Sequence, residues 1–270
     1  MLRSIAVLTL LVTFATGCGG QYILTAPDQL APAGGQAATV IRLQRNDFFV
    51  LSPPVENAAI RFRAADGPER AAYTDKLGFA GTTMPVPTGH GMFAMTIAHQ
   101  DTEGDEFSEQ RSLYVWDPAR PIVAVELEAL RLGERLTGEA AEALQRLAEE
   151  ANILYMTRQS IDQHPRLHEQ LAAKSLPEGP ILLWRRQNWH IVRSEHFNLP
   201  RIVVESRLIG RLGPLREVFP NLQTGLCESS LAAEAFDQAG LKCVVIGDAK
   251  PAVGDLVHRE SWADVLKRGI

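Results

Sequence analysis

Hydrophobic and polar positions follow two different patterns along this chain of 270 residues. From about residue 38 to about residue 118, short apolar runs alternate with turn residues, and no segment has helical periodicity. Ile60 and Phe62 alternate with Arg61 and Arg63, which places an apolar face and a charged face on one strand. Roughly six or seven such strands predict a small all-β sandwich over residues 38–118.

Within this range, AAYTDKLGFAGTTMPVP resembles a turn of transthyretin-like and carboxypeptidase-regulatory-like sandwich modules. The sandwich is therefore expected to be transthyretin-like or Ig-like.

From residue 119 to residue 270 the pattern predicts alternating strands and helices. PIVAVEL, NILYMTR and GPILLWRR are apolar runs typical of strands covered on both faces. GEAAEALQRLAEEA and HPRLHEQLAAKS are amphipathic and predict helices between them. The expected fold class is therefore an α/β doubly wound parallel sheet preceded by the small β-sandwich, with any site beyond the carboxyl ends of the strands.

The first residues of the chain resemble a bacterial lipoprotein signal. In MLRSIAVLTLLVTFATGCGG, Arg3 precedes a short apolar run, small residues follow, and Cys18 comes next. We predict a signal peptide over residues 1–17, lipidation of Cys18 and a flexible Gly/Pro/Ala-rich tether over residues 18–37. The alternative is a plain signal peptide or an uncleaved anchor with an incidental cysteine.

These features predict a protein of the cell envelope, held by its lipid anchor on the extracytoplasmic side of a membrane. Gly19 favours the outer membrane in a cell with two membranes, because the residue is not the Asp that resembles an inner-membrane retention signal. The net charge of -5, without a basic block, argues against nucleic acid as a partner. In an exported compartment, Cys227 and Cys243 either form a disulfide or lie buried as thiols on neighbouring strands.

Two groups of residues could in principle bind a metal ion, but each is explained more simply by exposure to solvent. The acidic loop at residues 101–106 is typical of a solvated turn, and calcium is the alternative. His164 and His168 are spaced for zinc on one helix face, but the sequence supplies no third ligand nearby. We therefore expect them on a solvated helix face.

Four segments in order resemble motifs of the haloacid dehalogenase superfamily, and within it the lipin-type phosphatidate phosphatases. NILYMTRQS resembles the second motif, KSLPEGPILL a Leu-Pro-x-Gly-Pro run, REVFPNL the helix end before the fourth strand, and TGLCESSLAAEAFDQAGL the fourth motif. The resemblance covers almost all of residues 119–270. It implies a phosphoryl-transfer site in which an Asp attacks phosphorus and a second Asp, two residues later, moves the proton.

The candidate catalytic residues that the resemblance implies stand at degenerate positions. Glu126 and Glu128 occupy the two aspartate positions, and Thr157 occupies the position of the phosphoryl-binding hydroxyl. Each glutamate is one methylene longer than aspartate, and misplacing a reacting group by about 1 Å can cost on the order of 100-fold in rate. In-line attack by Glu126 is therefore not expected.

The resemblance also implies ligand and metal residues. Arg158, Arg207 and Gly225 are the candidate ligand-binding residues, with Arg207 in the region where the family has Lys. The acids expected after Gly225 fall on Leu226 and Ser230, which leaves Glu228 as the candidate metal ligand.

These departures favour a catalytically degenerate phosphatidate phosphatase-like domain that serves in binding or scaffolding, without a cofactor. Its partner is then an envelope protein or a phosphorylated ligand that meets Thr157, Arg158 and Arg207. One alternative is an active phosphohydrolase, acting on a phospholipid or another envelope phosphoester, in which Glu126, Glu128 and Glu228 rebuild a Mg²⁺ site. The other is a structural protein whose pocket is filled by side chains.

Overall fold

The computed structural model of the protein describes residues 21–46, 52–64, 67–130, 138–159, 163–184, 212–251, 254 and 256–270. The expected signal peptide, Cys18 and Arg207 lie outside these ranges. Within them, every helix is too short or too polar to cross a membrane.

Eight strands form two sheets in the first part of the chain. One sheet has the order β1-β3-β6, and the other has the order β2-β8-β7-β4-β5. All neighbouring strands are antiparallel except β2 and β8, which are parallel. Their bounds are β1 Gln21–Thr25, β2 Gln29–Pro32, β3 Gln36–Asn46, β4 Ala59–Ala64, β5 Arg70–Tyr73, β6 Phe79–Pro85, β7 Gly91–Gln100 and β8 Glu106–Trp116.

The two sheets enclose one apolar core because their strands alternate buried and exposed residues. In β4, Ile60 and Phe62 are fully buried, whereas Arg61 points outwards and pairs with Glu106 of β8. Buried residues of the facing strands complete this core: Ile41 and Leu43 of β3, Met84 of β6, Met95 and Ile97 of β7, and Leu113 and Val115 of β8.

The second part of the chain contains a six-stranded parallel sheet of order β11-β10-β9-β12-β13-β14. Its strands are β9 Ile122–Glu126, β10 Asn152–Thr157, β11 Ile181–Leu183, β12 Leu222–Cys227, β13 Lys242–Ile246 and β14 Leu256–Arg259. The helices are α1 Gly138–Glu150, α2 His164–Ala173, α3 Leu212–Val218, α4 Ser230–Gln238 and α5 Trp262–Arg268, and a short 3-10 helix, Leu127–Leu130, follows β9. Because β9 is buried along its whole length, it forms the centre of the core.

Strand β8 joins the two parts of the molecule. Leu113 and Val115 lie in the core between the two antiparallel sheets, whereas Tyr114 and Trp116 pack into the core beside the parallel sheet. The ring of Trp116 meets Phe219 edge-on, with 6.5 Å between the ring centroids. One strand therefore contributes side chains to two cores, and the junction between the parts is apolar.

The expected fold class is wrong for this chain. Strands account for 43% of the structure and helices for 25%, and the chain has several sheets, so a doubly wound α/β fold of the haloacid dehalogenase type is not shown. Strands are present from Gln21 rather than from near residue 38, and α5 is only seven residues long. The antiparallel sheets therefore dominate the architecture.

The flexible tether expected over residues 18–37 is wrong from Gln21 onwards. β1 is in register with β3, from Gln21 opposite Asn46 to Thr25 opposite Arg42, and Asp28 in the following connection is buried. β2 is an edge strand, a position in which its terminal proline, Pro32, removes no hydrogen bond from the sheet interior. The Gly and Pro content of this segment therefore marks edges and turns.

Gly225 in β12 gives helix α4 its close approach to the sheet. A Cβ atom at this position would lie 2.4 Å from the ring of Phe236, which is fully buried on α4. We expect Gly225→Ala to lower the free energy of unfolding by about 1–3 kcal/mol, as overpacking does in other cores. Urea unfolding of the variant measures this loss.

Gly213→Ala is the matched control, because a Cβ at Gly213 on α3 meets no atom of the other described elements within 4 Å. This substitution should leave stability unchanged or raise it, since Ala favours helix over Gly. Equal changes in stability in both variants would contradict the close packing of Gly225 against Phe236 as the cause. Partial recovery of Gly225→Ala by Phe236→Leu would support it further.

Cys227 and Cys243 lie buried on adjacent strands, with 3.6 Å between their Sγ atoms. The register pairs Cys243 with Gly225, so Cys227 lies two residues further along β12. Strand geometry then puts the two Cα atoms about 8 Å apart, beyond the roughly 7 Å that a disulfide spans without backbone movement. The hydrogen bond to Cys243 and burial both raise the pKa of the Cys227 thiol, which slows thiolate chemistry.

We therefore expect both cysteines to be free thiols in the folded protein. Alkylation of purified protein in denaturant without reductant, followed by mass spectrometry, should modify both residues. A peptide that contains Cys227 linked to Cys243 would contradict this expectation.

Candidate functional site

The sequence-predicted residues meet at the carboxyl ends of three neighbouring strands. Glu126 is the last residue of β9, and Thr157 is the last residue of β10. β12 flanks β9 on the other side, and Glu228 and Ser229 follow its last residue. Parallel strands end at the same edge of a sheet, so the topology brings these groups together.

Glu126 is a buried carboxylate surrounded by hydrogen-bond donors. Its side chain is 1% exposed. Oε2 accepts hydrogen bonds from the backbone N–H groups of Glu228 and Ser229, both at 3.0 Å. Oε1 accepts from Ser229 Oγ at 2.5 Å and from Arg158 Nη2 at 3.0 Å. Both oxygens are therefore held by groups of the protein itself.

The position of Glu126 is also favoured by helix α4. Ser229 is the N-cap residue of this helix, and its Oγ accepts from the N–H of Ala232 at 3.2 Å. The unsatisfied N–H groups and the dipole at a helix N-terminus stabilise an anion placed there. In this protein Glu126 is that anion.

Glu128 lies two residues beyond Glu126, in the 3-10 helix. Its Oε1 accepts from Thr157 Oγ1 at 2.8 Å and from the backbone N–H of Arg158 at 2.7 Å. Thr157 is fully buried, and its hydroxyl oxygen also accepts from the N–H of Gln159 at 3.0 Å. Oε2 of Glu128 is buried and has no hydrogen-bond partner among the described residues.

The two glutamates thus bind the groups that were expected to bind a phosphorylated ligand. The hydroxyl of Thr157 and the N–H of Arg158 donate to Glu128, and the guanidinium of Arg158 pairs with Glu126. An external anion would have to displace a carboxylate that is already bound. The arrangement is an internal ion-pair network across the edge of the sheet.

The three glutamates do not converge on a common point. Glu228 contributes its backbone N–H to Glu126, whereas its side chain lies beside Gly247, where a Cβ would be 3.8 Å from Oε1. In the described ranges, three or more potential ligand atoms come within 4.8 Å of one another only at Asp101, Glu103 and Asp105. The alternative in which Glu126, Glu128 and Glu228 rebuild a Mg²⁺ site is therefore not favoured by the geometry of the described residues.

Two further residues contribute to the site in ways that the sequence did not single out. Gly225 lies within β12, and the packing of Phe236 accounts for the absence of a side chain there without a ligand. Ser229 is the residue of the site that the sequence analysis missed. Its position just before the apolar turn of α4 is an N-cap signal that predicts a helix N-terminus at this point.

Comparison with known proteins identifies no family for this chain. Neither a family model nor a curated protein matches it. Solved structures match only remotely.

A carbohydrate acetylesterase from Xanthomonas citri has 12% identity and a TM-score of 0.35, over 91% of this chain and 73% of its own. The N-terminal Ig1-2 module of the Drosophila receptor protein tyrosine phosphatase DLAR has 16% identity and a TM-score of 0.27. That match covers 40% of this chain and 59% of the module. A family 39 glycoside hydrolase from Bacteroides cellulosilyticus has 9% identity and a TM-score of 0.26, over 83% of this chain and 50% of its own.

We expect the network around Glu126 to stabilise the fold. Glu126→Ala would leave a helix N-terminus and a guanidinium without their carboxylate, and breaking such a buried pair costs about 3–5 kcal/mol. The side chain of Arg158 is 37% exposed and regains water, so we expect a loss near 3 kcal/mol, the lower end. Chemical unfolding measures the difference.

Glu142→Ala provides the control, because it removes another glutamate that pairs with an arginine. Glu142 pairs with Arg146 on the exposed face of α1, where both side chains are more than half exposed. Such a pair contributes about 0.5 kcal/mol or less. Equal losses in the two variants would show that the network around Glu126 has no special role.

Proposed function

We propose that this chain is a lipid-anchored protein of the cell envelope whose phosphatidate phosphatase-like part is catalytically inactive and serves as a scaffold. The observation that carries this proposal is the engagement of both oxygens of Glu126 by donors of the protein. The envelope location rests on the lipoprotein signal around Cys18.

The geometry around Glu126 opposes covalent catalysis by this residue. A carboxylate nucleophile must present a free lone pair in line with the bond that it breaks. The oxygens of Glu126 accept from Glu228, Ser229 and Arg158, at the N-terminus of a helix. These contacts stabilise the charge of the ground state, so the carboxylate would have to lose them before reacting.

The same contacts oppose the binding of a phosphorylated ligand at this edge. Binding energy is gained only when a ligand finds donors that it does not have to take from another anion. Thr157 and Arg158 already hold Glu128 and Glu126, so the pocket is filled by the chain's own side chains. This favours a scaffold over the binding of a phosphorylated ligand.

One observation favours the alternative, an active divalent-metal-dependent phosphohydrolase. Oε2 of Glu128 is a buried carboxylate oxygen without a hydrogen-bond partner among the described residues. Mg²⁺ takes octahedral oxygen ligands, several of them water, from one or two carboxylates. A single uncommitted oxygen, with Glu126 engaged and the Glu228 side chain elsewhere, does not provide that set.

We expect no Mg²⁺-dependent hydrolysis of a generic phosphate monoester or of phosphatidate in detergent micelles. The physical reason is that the candidate nucleophile and the phosphoryl-binding groups are bound to each other. Glu126→Asp combined with Glu128→Asp should still give no gain of activity, because the acids expected after Gly225 remain Leu226 and Ser230. Release of inorganic phosphate, measured with and without Mg²⁺, is the test.

Metal-dependent hydrolysis that Glu126→Gln abolishes and the exposed control Glu142→Gln leaves intact would establish the enzyme instead. Thermal unfolding at increasing concentrations of inorganic phosphate distinguishes a scaffold from a protein that binds a phosphorylated ligand. A ligand at about 100 times its Kd stabilises a protein by about 2.7 kcal/mol. Such a stabilisation, lost in Arg158→Ala, would show an open binding site and contradict the filled pocket.

A further inference from the structure

A second buried carboxylate connects the two parts of the molecule. Asp28 lies in the connection between β1 and β2, and it is 4% exposed. One of its oxygens, Oδ2, is 2.7 Å from Nε2 of His168 on α2 and 2.8 Å from the backbone N of Ile181 in β11. Both partners belong to the parallel-sheet part of the chain, more than a hundred residues away in sequence.

The connection that carries Asp28 is held from the other side by strand β8. Nε of Arg111 donates to the backbone carbonyl of Ala26 at 3.0 Å. The side-chain amide of Gln29 donates to the carbonyl of Pro27 at 2.8 Å, which fixes the turn just before β2. Residues 26–29 are thus clamped between the antiparallel sheets and the parallel sheet.

The expectation that His168 lies on a solvated helix face is wrong. Its side chain is 33% exposed, and its Nε2 faces Asp28. His164, one turn earlier on α2, is 5% exposed. Asp28 accounts for the position of His168 without a zinc ion.

We propose that Asp28 and His168 form a pH-sensitive latch that fastens the β1–β2 connection to the parallel-sheet part when the imidazole is protonated and loosens it when the imidazole is neutral. The latch lies at the junction of the two parts, away from Glu126. The inference therefore does not depend on whether the site at Glu126 is catalytic.

The charges around the imidazole decide which form the folded protein prefers. Burial disfavours the charged ring, whereas the hydrogen bond to Asp28, the charge of Asp28 and the charge of Glu178 favour it. Arg111, on β8, opposes protonation. The favourable contributions prevail, and the pKa of His168 is raised above its ordinary value. Tyr114 on β8 also feels Asp28 and Glu178, and burial together with these charges raises its pKa beyond the physiological range, so it stays neutral.

The raised pKa of His168 determines the pH range in which the latch stabilises the fold. A histidine with a raised pKa in the folded state binds its proton more tightly there than in the unfolded chain. Its contribution to stability is complete below the ordinary value of 6.5 and is lost as the pH rises through the higher folded value. Alkaline conditions therefore weaken the latch, although a neutral Nε2–H tautomer still donates to Asp28.

The test follows the full-length protein in detergent micelles from about pH 5.5 to about pH 8.5, on either side of the ordinary histidine value. Imidazole resonances of protein labelled in its 7 histidines are titrated, and His168→Gln identifies the signal of His168. We expect a midpoint above 6.5 for His168. Hydrogen exchange of the Ile181 amide, corrected for its intrinsic pH dependence, should show a loss of protection across the same interval.

Two variants and a matched control complete the design. The difference in Tm between wild type and His168→Gln should be largest at the acidic end and should shrink as the pH rises. Asp28→Asn, which keeps the shape but removes the charge, should also abolish the pH-dependent part. His258→Gln alters an exposed histidine on β14, and its profile should run parallel to that of wild type.

Two outcomes would overturn the latch. One is a His168 midpoint at or below 6.5 in the wild-type protein, which stays measurable even if Asp28→Asn fails to fold. The other is a constant difference in Tm between wild type and His168→Gln at every pH. Phosphate release has no bearing on either result, so the latch and the proposed function fail separately.

Discussion

The parallel-sheet part depends on one buried carboxylate placed where three strands end. Glu126 is the last residue of β9, and its carboxylate accepts hydrogen bonds from the segment after β10 and from the segment after β12. An unpaired carboxylate at this depth would be costly, because burial removes its hydration. The helix N-terminus of α4 and the guanidinium of Arg158 replace that hydration. The same contacts therefore fix the orientation of α4 and stabilise the charge of Glu126.

The two parts of the chain are held together by apolar contacts and by a polar contact of different character. Trp116 extends the core of the parallel sheet into β8 through contacts that are insensitive to pH. Asp28 adds a directional contact whose strength depends on the proton of His168. Apolar burial provides most of the free energy that holds the two parts together, without fixing a direction. A buried charged pair instead favours one relative arrangement, and its strength depends on pH. The junction therefore combines apolar contacts that do not depend on pH with one polar contact that does.

Local patterns in the sequence predict individual elements better than the architecture. The buried run ending at Glu126 and the amphipathic segment of α1 are strand and helix as expected, because their periodicity reflects burial. The sequence did not reveal β1 and β2, since Gly, Pro and Ala in residues 18–37 resemble a linker and strand pairing is non-local. For the same reason it missed Asp28, whose partner His168 is 140 residues away. The residues at the site were foreseeable from strand ends, but their mutual hydrogen bonds were not.

The difference of one methylene between aspartate and glutamate explains why the same residue types give a closed site. The longer side chain of Glu126 reaches the backbone N–H groups of Glu228 and Ser229 at the start of α4, and Glu128 reaches back to Thr157. A shorter carboxylate at either position would stop about 1.5 Å earlier, at the length of one carbon–carbon bond, and would leave those donors to an incoming anion. Residue type fixes the charge of this site, and side-chain length decides whether the anion that fills it comes from the protein or from outside.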